Sequence, residues 1–355
     1  MRSGSPLALV AFVTMPSVAT ADSWVRLQPR ISYEVSLRGV SASARVDRAG
    51  RYPISRWLKV APGERAVAVW GRDTGLVVQA ASGESIFRRP GAIGAFAFSA
   101  DGMQLAFATP GGAWVVELDR PEPHLVAAIA GVDFVRFTDR GLVVRTGGKL
   151  GLIEESGTVR ILARTSRMTA LAAAGSRAVY FADGIMVSID LADIAHVERT
   201  RLADRADVLD AELSPKGRDL LWRAGGHIYL REGTDPARSV VAAEDVATLA
   251  FSPDGSAWLW STYSGGGIVT AEGSRPLPDG FGRACFRAGG DGIVIVSRTH
   301  IALWSPAAGT QSVVGGVDPA ETSLWSADMI GTELITLSAR TPPGVKEHSA
   351  PAIDP

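Results

Sequence analysis

The chain has 355 residues, 46% of them hydrophobic and 21% charged, with a formal net charge of -1. This is a globular composition, long enough to bury a substantial core, and its even balance of sign supplies no field for nucleic acid or an anionic membrane. Positive charge is almost all arginine, the only lysines are Lys59, Lys149, Lys216 and Lys346, and no basic run tracks a phosphate backbone. Cys285 stands alone, which excludes an intramolecular disulfide and a cysteine metal cluster; it reads as a small hydrophobe on a strand.

Residues 1–21 have the layout of a secretory signal peptide: Arg2, an apolar stretch from Leu7 to Val13, then Ala19-x-Ala21 before Asp22. The stretch is too short to span a bilayer as a helix, and no other segment reaches the roughly 18 apolar residues that spanning requires. The mature chain is therefore expected to be exported, periplasmic or secreted, with no transmembrane segment.

From residue 40 onward the chain is organised by a repeat. The clearest unit is Phe251-Ser-Pro-Asp-Gly255, followed by Ala257-Trp-Leu-Trp-Ser261. Its nearest copy is Phe98-Ser-Ala-Asp-Gly102, followed by Gln104-Leu-Ala-Phe-Ala108. Further copies are Val60–Glu64, Phe137–Gly141, Leu171–Gly175, Leu213–Gly217, Phe286–Gly290 and Trp325–Met329, with last positions 34 to 42 residues apart. Each unit predicts a strand, a tight turn and a second strand: proline presets φ, aspartate bonds the backbone two residues on, and glycine tolerates positive φ. A further strand pair follows, as in His227–Leu230 with Ser239–Val241, and His300–Trp304 with Gln311–Val314. Four short strands per repeat cannot bury both faces of their sheet alone, and radial packing against neighbouring copies solves this. The expected fold is all-β: a single β-propeller over residues 22–338.

The chain ends carry half repeats. One strand, Glu333–Leu337, follows the last turn, while Val40–Val46 and Arg51–Ile54 precede the first. Together they are read as one blade that closes the ring, which gives eight four-stranded blades as the preferred count and seven as the alternative. Asp22–Pro29 is read as an extra strand or a linker. Residues 339–355, with Pro342, Pro343, Pro351 and Pro355, are read as a disordered tail.

The units at Phe98–Gly102 and Phe251–Gly255 resemble the TolB-like β-propeller repeats, also called WD40-like or PD40 repeats. There an aromatic-Ser-Pro-Asp-Gly turn precedes a strand rich in alanine and aromatics. The resemblance extends loosely over residues 40–338. It departs from true WD40 repeats in lacking a Trp-Asp dipeptide and a Gly-His start. It implies the propeller fold and a tendency toward protein binding, without a specific partner or active site.

Residues that carry chemistry are sparse. His124, His196, His227, His300 and His348 form no metal-ligand spacing, although His227 and His300 match in opening the third strand of their repeats. The aspartates Asp101, Asp139, Asp254, Asp291 and Asp328 are expected in turns on one face, as turn formers rather than as a calcium ring. Gly111-Gly112 and Gly265-Gly266-Gly267 precede strands and offer no helix N-terminus to phosphate. No nucleophile elbow or P-loop occurs. Glu154 and Glu155 are read as neighbours on a strand, pointing to opposite faces. Trp70, Trp222 and Trp260 in second strands, and Trp114 and Trp304 in third strands, are read as packing between blades rather than as a stacking platform.

No catalytic, cofactor-binding or metal-binding residue is nominated, and no cofactor is expected. The leading expectation is a monomeric, non-enzymatic scaffold that presents loops to a protein partner in the cell envelope. The alternatives are a propeller enzyme of lyase, lactonase or glycosidase type with its site in the channel, and a quinoprotein-like cofactor-binding propeller.

Overall fold

A computed structural model describes residues 58–316, apart from 72–74, 83, 92, 166, 203–207, 263–264, 279–282, 291, 297–299 and 308. It also describes residues 13–14, 32–37, 40–45, 322–330 and 333–340. The strands form seven four-stranded antiparallel sheets, each a simple meander in chain order. They span residues 58–89, 95–127, 132–164, 168–201, 208–242, 248–276 and 283–316, and are numbered here as blades 1 to 7. The only helical piece among the described residues is the 3-10 turn Pro62–Glu64.

First strands of successive blades pack on one another, as Met168–Ala174 does on Val208–Leu213, so they line the axis. Fourth strands such as Val159–Arg164 and Gly273–Pro276 are largely exposed and form the outer rim. The core lies between blades. Leu76, Val78 and Ala68 of blade 1 meet Phe96, Phe107 and Val116 of blade 2. Equivalent clusters join blades 2 and 3, 3 and 4, 4 and 5, 5 and 6, and 6 and 7. Alanines such as Ala66, Ala106, Ala108, Ala113 and Ala178 are fully buried. Their small side chains let adjacent sheets approach, and the aromatics fill the wider spaces.

The first-to-second-strand turn has the same backbone bonding in five blades, 1, 2, 5, 6 and 7. In blade 6 the Ser252 amide donates to the Ala257 carbonyl (2.9 Å) and the Gly255 amide to the Ser252 carbonyl (2.9 Å). The Ser252 hydroxyl donates to Asp254 Oδ1 (2.6 Å) and accepts from the Ala257 amide (2.9 Å). Asp254 Oδ1 accepts from the amide two residues on, Ser256 (3.0 Å), as the turn chemistry requires. Blade 2 repeats these bonds at Ser99, Asp101 and Met103. Blades 1, 5 and 7 keep the two backbone bonds, at Ala61/Glu64, Ser214/Gly217 and Arg287/Gly290. Blades 3 and 4 instead close with two-residue turns, at 139–140 and 175–176.

The chain ends pair with each other. Glu333–Arg340 pairs with Thr322–Ile330 on one side and with Ser32–Leu37, at Glu34 opposite Ser338, on the other. Ser32–Leu37 in turn pairs with Val40–Arg45. Val13–Thr14 adds a further short pairing to Glu333–Arg340, making this sheet five-stranded. Thr322–Ile330 packs against Ile293–Val296 of blade 7 and Leu58–Val60 of blade 1, so the end sheet fills the gap between those blades.

The preferred count of eight four-stranded blades is thus corrected to seven. The ends do close the ring, but as an irregular sheet, because an eight-residue strand is long enough to take two partners along one edge. The turn expected at Trp325–Met329 is also corrected: Thr322–Ile330 runs through it as one continuous strand, with Asp328 opposite Ile335. The expected strand at 51–54, the linker at 22–29 and residues 341–355 lie outside the described residues, as does all of the 1–21 segment except Val13–Thr14.

Candidate functional site

The first strands enclose an axial cavity of about 110 Å³. Lys59 of blade 1, Phe134 and Arg136 of blade 3, Asp210 and Glu212 of blade 5 and Thr248 of blade 6 are among its lining residues. Alternation along a strand places Phe134 with Arg136, and Asp210 with Glu212, on the same face. The cations are anchored locally. Lys59 Nζ donates to the Phe96 carbonyl (3.1 Å) and lies 5.6 Å from the centre of the Phe96 ring. Arg136 lies 5.3 Å from the Phe134 ring and donates to the Val135 carbonyl (3.2 Å). Asp210 accepts from the Ala211 amide (3.0 Å). The channel therefore carries both signs of charge, cations from blades 1 and 3 and carboxylates from blade 5.

None of these residues is among those that stand out in the sequence. A signal was present: Lys59, Arg136 and Glu212 each stand one residue before the start of their repeat unit, where Ala97, Ala250 and Cys285 stand in other blades. Aligning the repeats on their turns reveals charge at an otherwise small, apolar position.

The residues singled out from sequence are dispersed. His227 opens the third strand of blade 5, with Nδ1 3.2 Å from the Ser239 hydroxyl, and His300 opens the third strand of blade 7. Asp101 and Asp254 are held below the usual carboxylate range, first by the hydroxyls of Ser99 and Ser252 and then by the amides of Met103 and Ser256. Asp139 lies in the turn of blade 3, Asp291 lies outside the described residues, and Asp328 is in a strand. Glu154 and Glu155 follow the strand Lys149–Ile153 rather than lying on it, and Glu154 pairs with Arg160 at 2.7 Å. Among the described residues, no group of three or more His, Cys, Asp or Glu side chains is placed to hold a metal ion. None of their helices is long and apolar enough to cross a membrane.

The tryptophans lie in the strands expected. Trp222 stacks on Tyr229 (5.3 Å) and meets Phe181 of blade 4 (5.7 Å), and Trp114 stacks on Phe107 (6.4 Å) under Arg89 of blade 1 (4.9 Å). They are packing between blades.

A second polar cluster lies between blades 4 and 5. The Arg231 side chain, 7% exposed, pairs with Glu198 at 2.7 Å. Arg177 donates to the Ser188 hydroxyl (2.7 Å) and to the Arg218 carbonyl (3.1 Å). Burial, reinforced by the charge of Arg231, pushes the Arg177 guanidinium below its ordinary value, and the Arg231 hydrogen bond holds Glu198 low. The cluster ties the two blades together.

No protein-family model matches the chain, and no curated protein matches it in sequence. Solved structures match in fold. Hsv2 of Kluyveromyces lactis aligns at 12% identity over 74% of this chain and 98% of its own, with a TM-score of 0.54. A eukaryotic initiation factor aligns at 12% identity over 88% and 95%, with a TM-score of 0.54. A complex of KlAtg21 with the coiled coil of AgAtg16 aligns at 12% identity over 74% and 98%, with a TM-score of 0.53. The chain shares its β-propeller fold with these structures.

Proposed function

We propose that this is an exported, non-enzymatic propeller of the TolB-like kind that acts as a protein-binding scaffold in the cell envelope. The observation that carries the reading is the axial cavity. At about 110 Å³ it is below the roughly 300–1,000 Å³ of small-molecule sites, which supports recognition through the two faces and the rim. The leader-like residues 1–21 support export, and the Ser-Pro-Asp-Gly units support the TolB-like assignment. One propeller of similar fold is named in a complex with a coiled coil.

The test has two parts. Cell fractionation of the full chain and of a chain lacking residues 1–21 should place the first in the envelope and the second in the cytoplasm. Capture on tagged residues 22–355 from the envelope fraction, after crosslinking, should yield one stoichiometric protein that rebinds when purified. A cytoplasmic full chain overturns the export reading, and absence of a protein partner overturns the scaffold reading.

A second reading, an active site in the channel, is favoured by one observation: Asp210 and Glu212 line the same cavity as Lys59 and Arg136. It requires a metal, chromophore or saturable small ligand to accompany the purified protein, lost on Glu212→Gln.

A further inference from the structure

The turns of blades 1 and 7 depart from the repeat in complementary ways. In blades 2, 5 and 6 the second turn position is Ser99, Ser214 or Ser252, and the fifth is Gly102, Gly217 or Gly255, with φ of 71°, 71° and 75°. Blade 7 keeps the glycine, Gly290, but has Arg287 in place of the serine. Blade 1 has Ala61 in place of the serine and Glu64 in place of the glycine. Glu64 adopts φ 55°, in the left-handed region that a side chain with a Cβ disfavours.

The two irregular positions meet. Glu64 Oε1 lies 2.9 Å from Arg287 Nε, Arg287 Nη2 donates to Glu64 Oε2 (3.1 Å), and the Gly289 amide donates to Glu64 Oε1 (3.2 Å). The pair is largely buried, with side chains 12% and 13% exposed. It joins the first and last four-stranded blades across 223 residues of sequence. A residue held in a disfavoured backbone region persists where its surroundings fix it, and here the surroundings are the opposite end of the chain.

We propose that Glu64 and Arg287 form a latch that holds the ring closed independently of the end sheet. The strands contributed by the two chain ends can then separate while blades 1 and 7 stay joined. Both turns keep the repeat's two backbone bonds; what they lack, among the turns of this five-residue type, is the serine hydroxyl, and the latch puts a contact between the two turns in its place.

The test is hydrogen exchange on the full chain. In the wild type, amides of Glu333–Arg340 should exchange faster than those of Ala66–Gly71 and Ile293–Val296. Glu64→Gly relieves the backbone and removes the carboxylate. It should speed exchange at Ala66–Gly71 and Ile293–Val296 by about tenfold or more, leaving Arg177–Ala182 in blade 4 unchanged. Glu64→Gln keeps the backbone and the side-chain shape and should show the same pattern, smaller, if Glu64→Gly does not fold. Exchange in Glu64→Gly as slow as or slower than wild type would mean that Glu64 is only a poor glycine, and would overturn the latch. Wild-type exchange at one common rate in Glu333–Arg340 and in blades 1 and 7 would overturn the independence of the two closures.

Discussion

Gly102 in the turn of blade 2 sits directly against the Pro62 carbonyl of blade 1: a Cβ on Gly102 would lie 2.2 Å from that oxygen. The relationship recurs between blades 4 and 5, where a Cβ on Gly217 would lie 2.3 Å from the Ala174 carbonyl. The turn glycine therefore serves twice, giving its own turn a positive φ and letting the neighbouring blade approach. Gly102→Ala should destabilise the fold by more than the roughly 1–3 kcal/mol of a left-handed alanine. Gly157→Ala, at φ 80° with nothing within 4 Å, should cost that strain alone. Denaturant unfolding of both variants checks the difference.

Asp101 and Asp254 set an acid limb. Both have folded pKa values below the ordinary one, chiefly through the hydroxyls of Ser99 and Ser252. A depressed carboxylate contributes stability that is present above its unfolded value, about 3.9, and is lost as pH falls through the folded value. Melting temperature should therefore drop below about pH 4, and Asp254→Asn should flatten part of that drop while lowering stability at neutral pH. A drop of unchanged depth in the variant counts against the assignment. Both carboxylates are largely solvated, so each effect is modest.

The Arg231–Glu198 pair predicts an asymmetry. Arg231 Nε and Nη1 are buried and make no hydrogen bond among the described residues, so the guanidinium is incompletely compensated. Glu198→Ala should cost about 1–3 kcal/mol, because it strands that charge; Glu198 is itself partly exposed, which trims the loss. Arg231→Met fills similar volume without the desolvation and should be close to neutral. Thermal melts of both single variants and of the double variant test it, and equal losses from the two singles would contradict it.

Packing between blades should dominate stability. Phe107 is fully buried between blades 1 and 2 against Phe87 (5.5 Å) and Trp114. Phe107→Ala should cost about 3–5 kcal/mol. Val159→Ala, on an exposed outer strand, should change stability by no more than about 0.5 kcal/mol. Equal effects would contradict a core lying between the sheets.

Much of this fold is legible in the sequence because turn chemistry is local. Ser252, Asp254 and Gly255 bond within their own turn, so the motif survives without tertiary help, and its spacing marks the blades. Where that chemistry is absent, the reading fails. Trp325–Met329 matches the motif in letters only; the segment lies inside the strand Thr322–Ile330, whose pairing with Glu333–Arg340 is interrupted only by a bulge at Trp325. The short turns at 139–140 and 175–176 align with the repeat although their bonds differ. The blade count fails for the same reason, since pairing at the chain ends is non-local and Val13–Thr14 carries no strand signature of its own. The channel residues went unread because charge at one repeat position becomes a site only when blades 1, 3 and 5 are brought around an axis. Glu64 and Arg287 are individually visible as irregularities, but only closure of the ring shows that they are matched.

The measurement that tests the central claim most directly is a binding titration of the purified captured protein against residues 22–355, comparing wild type with Arg136→Met and Glu212→Gln in the channel. Recognition through the faces or rim predicts a saturable one-to-one complex whose affinity is unchanged by both substitutions. Failure to form a complex, or loss of binding on emptying the channel of its charges, would contradict the scaffold account and place function on the axis.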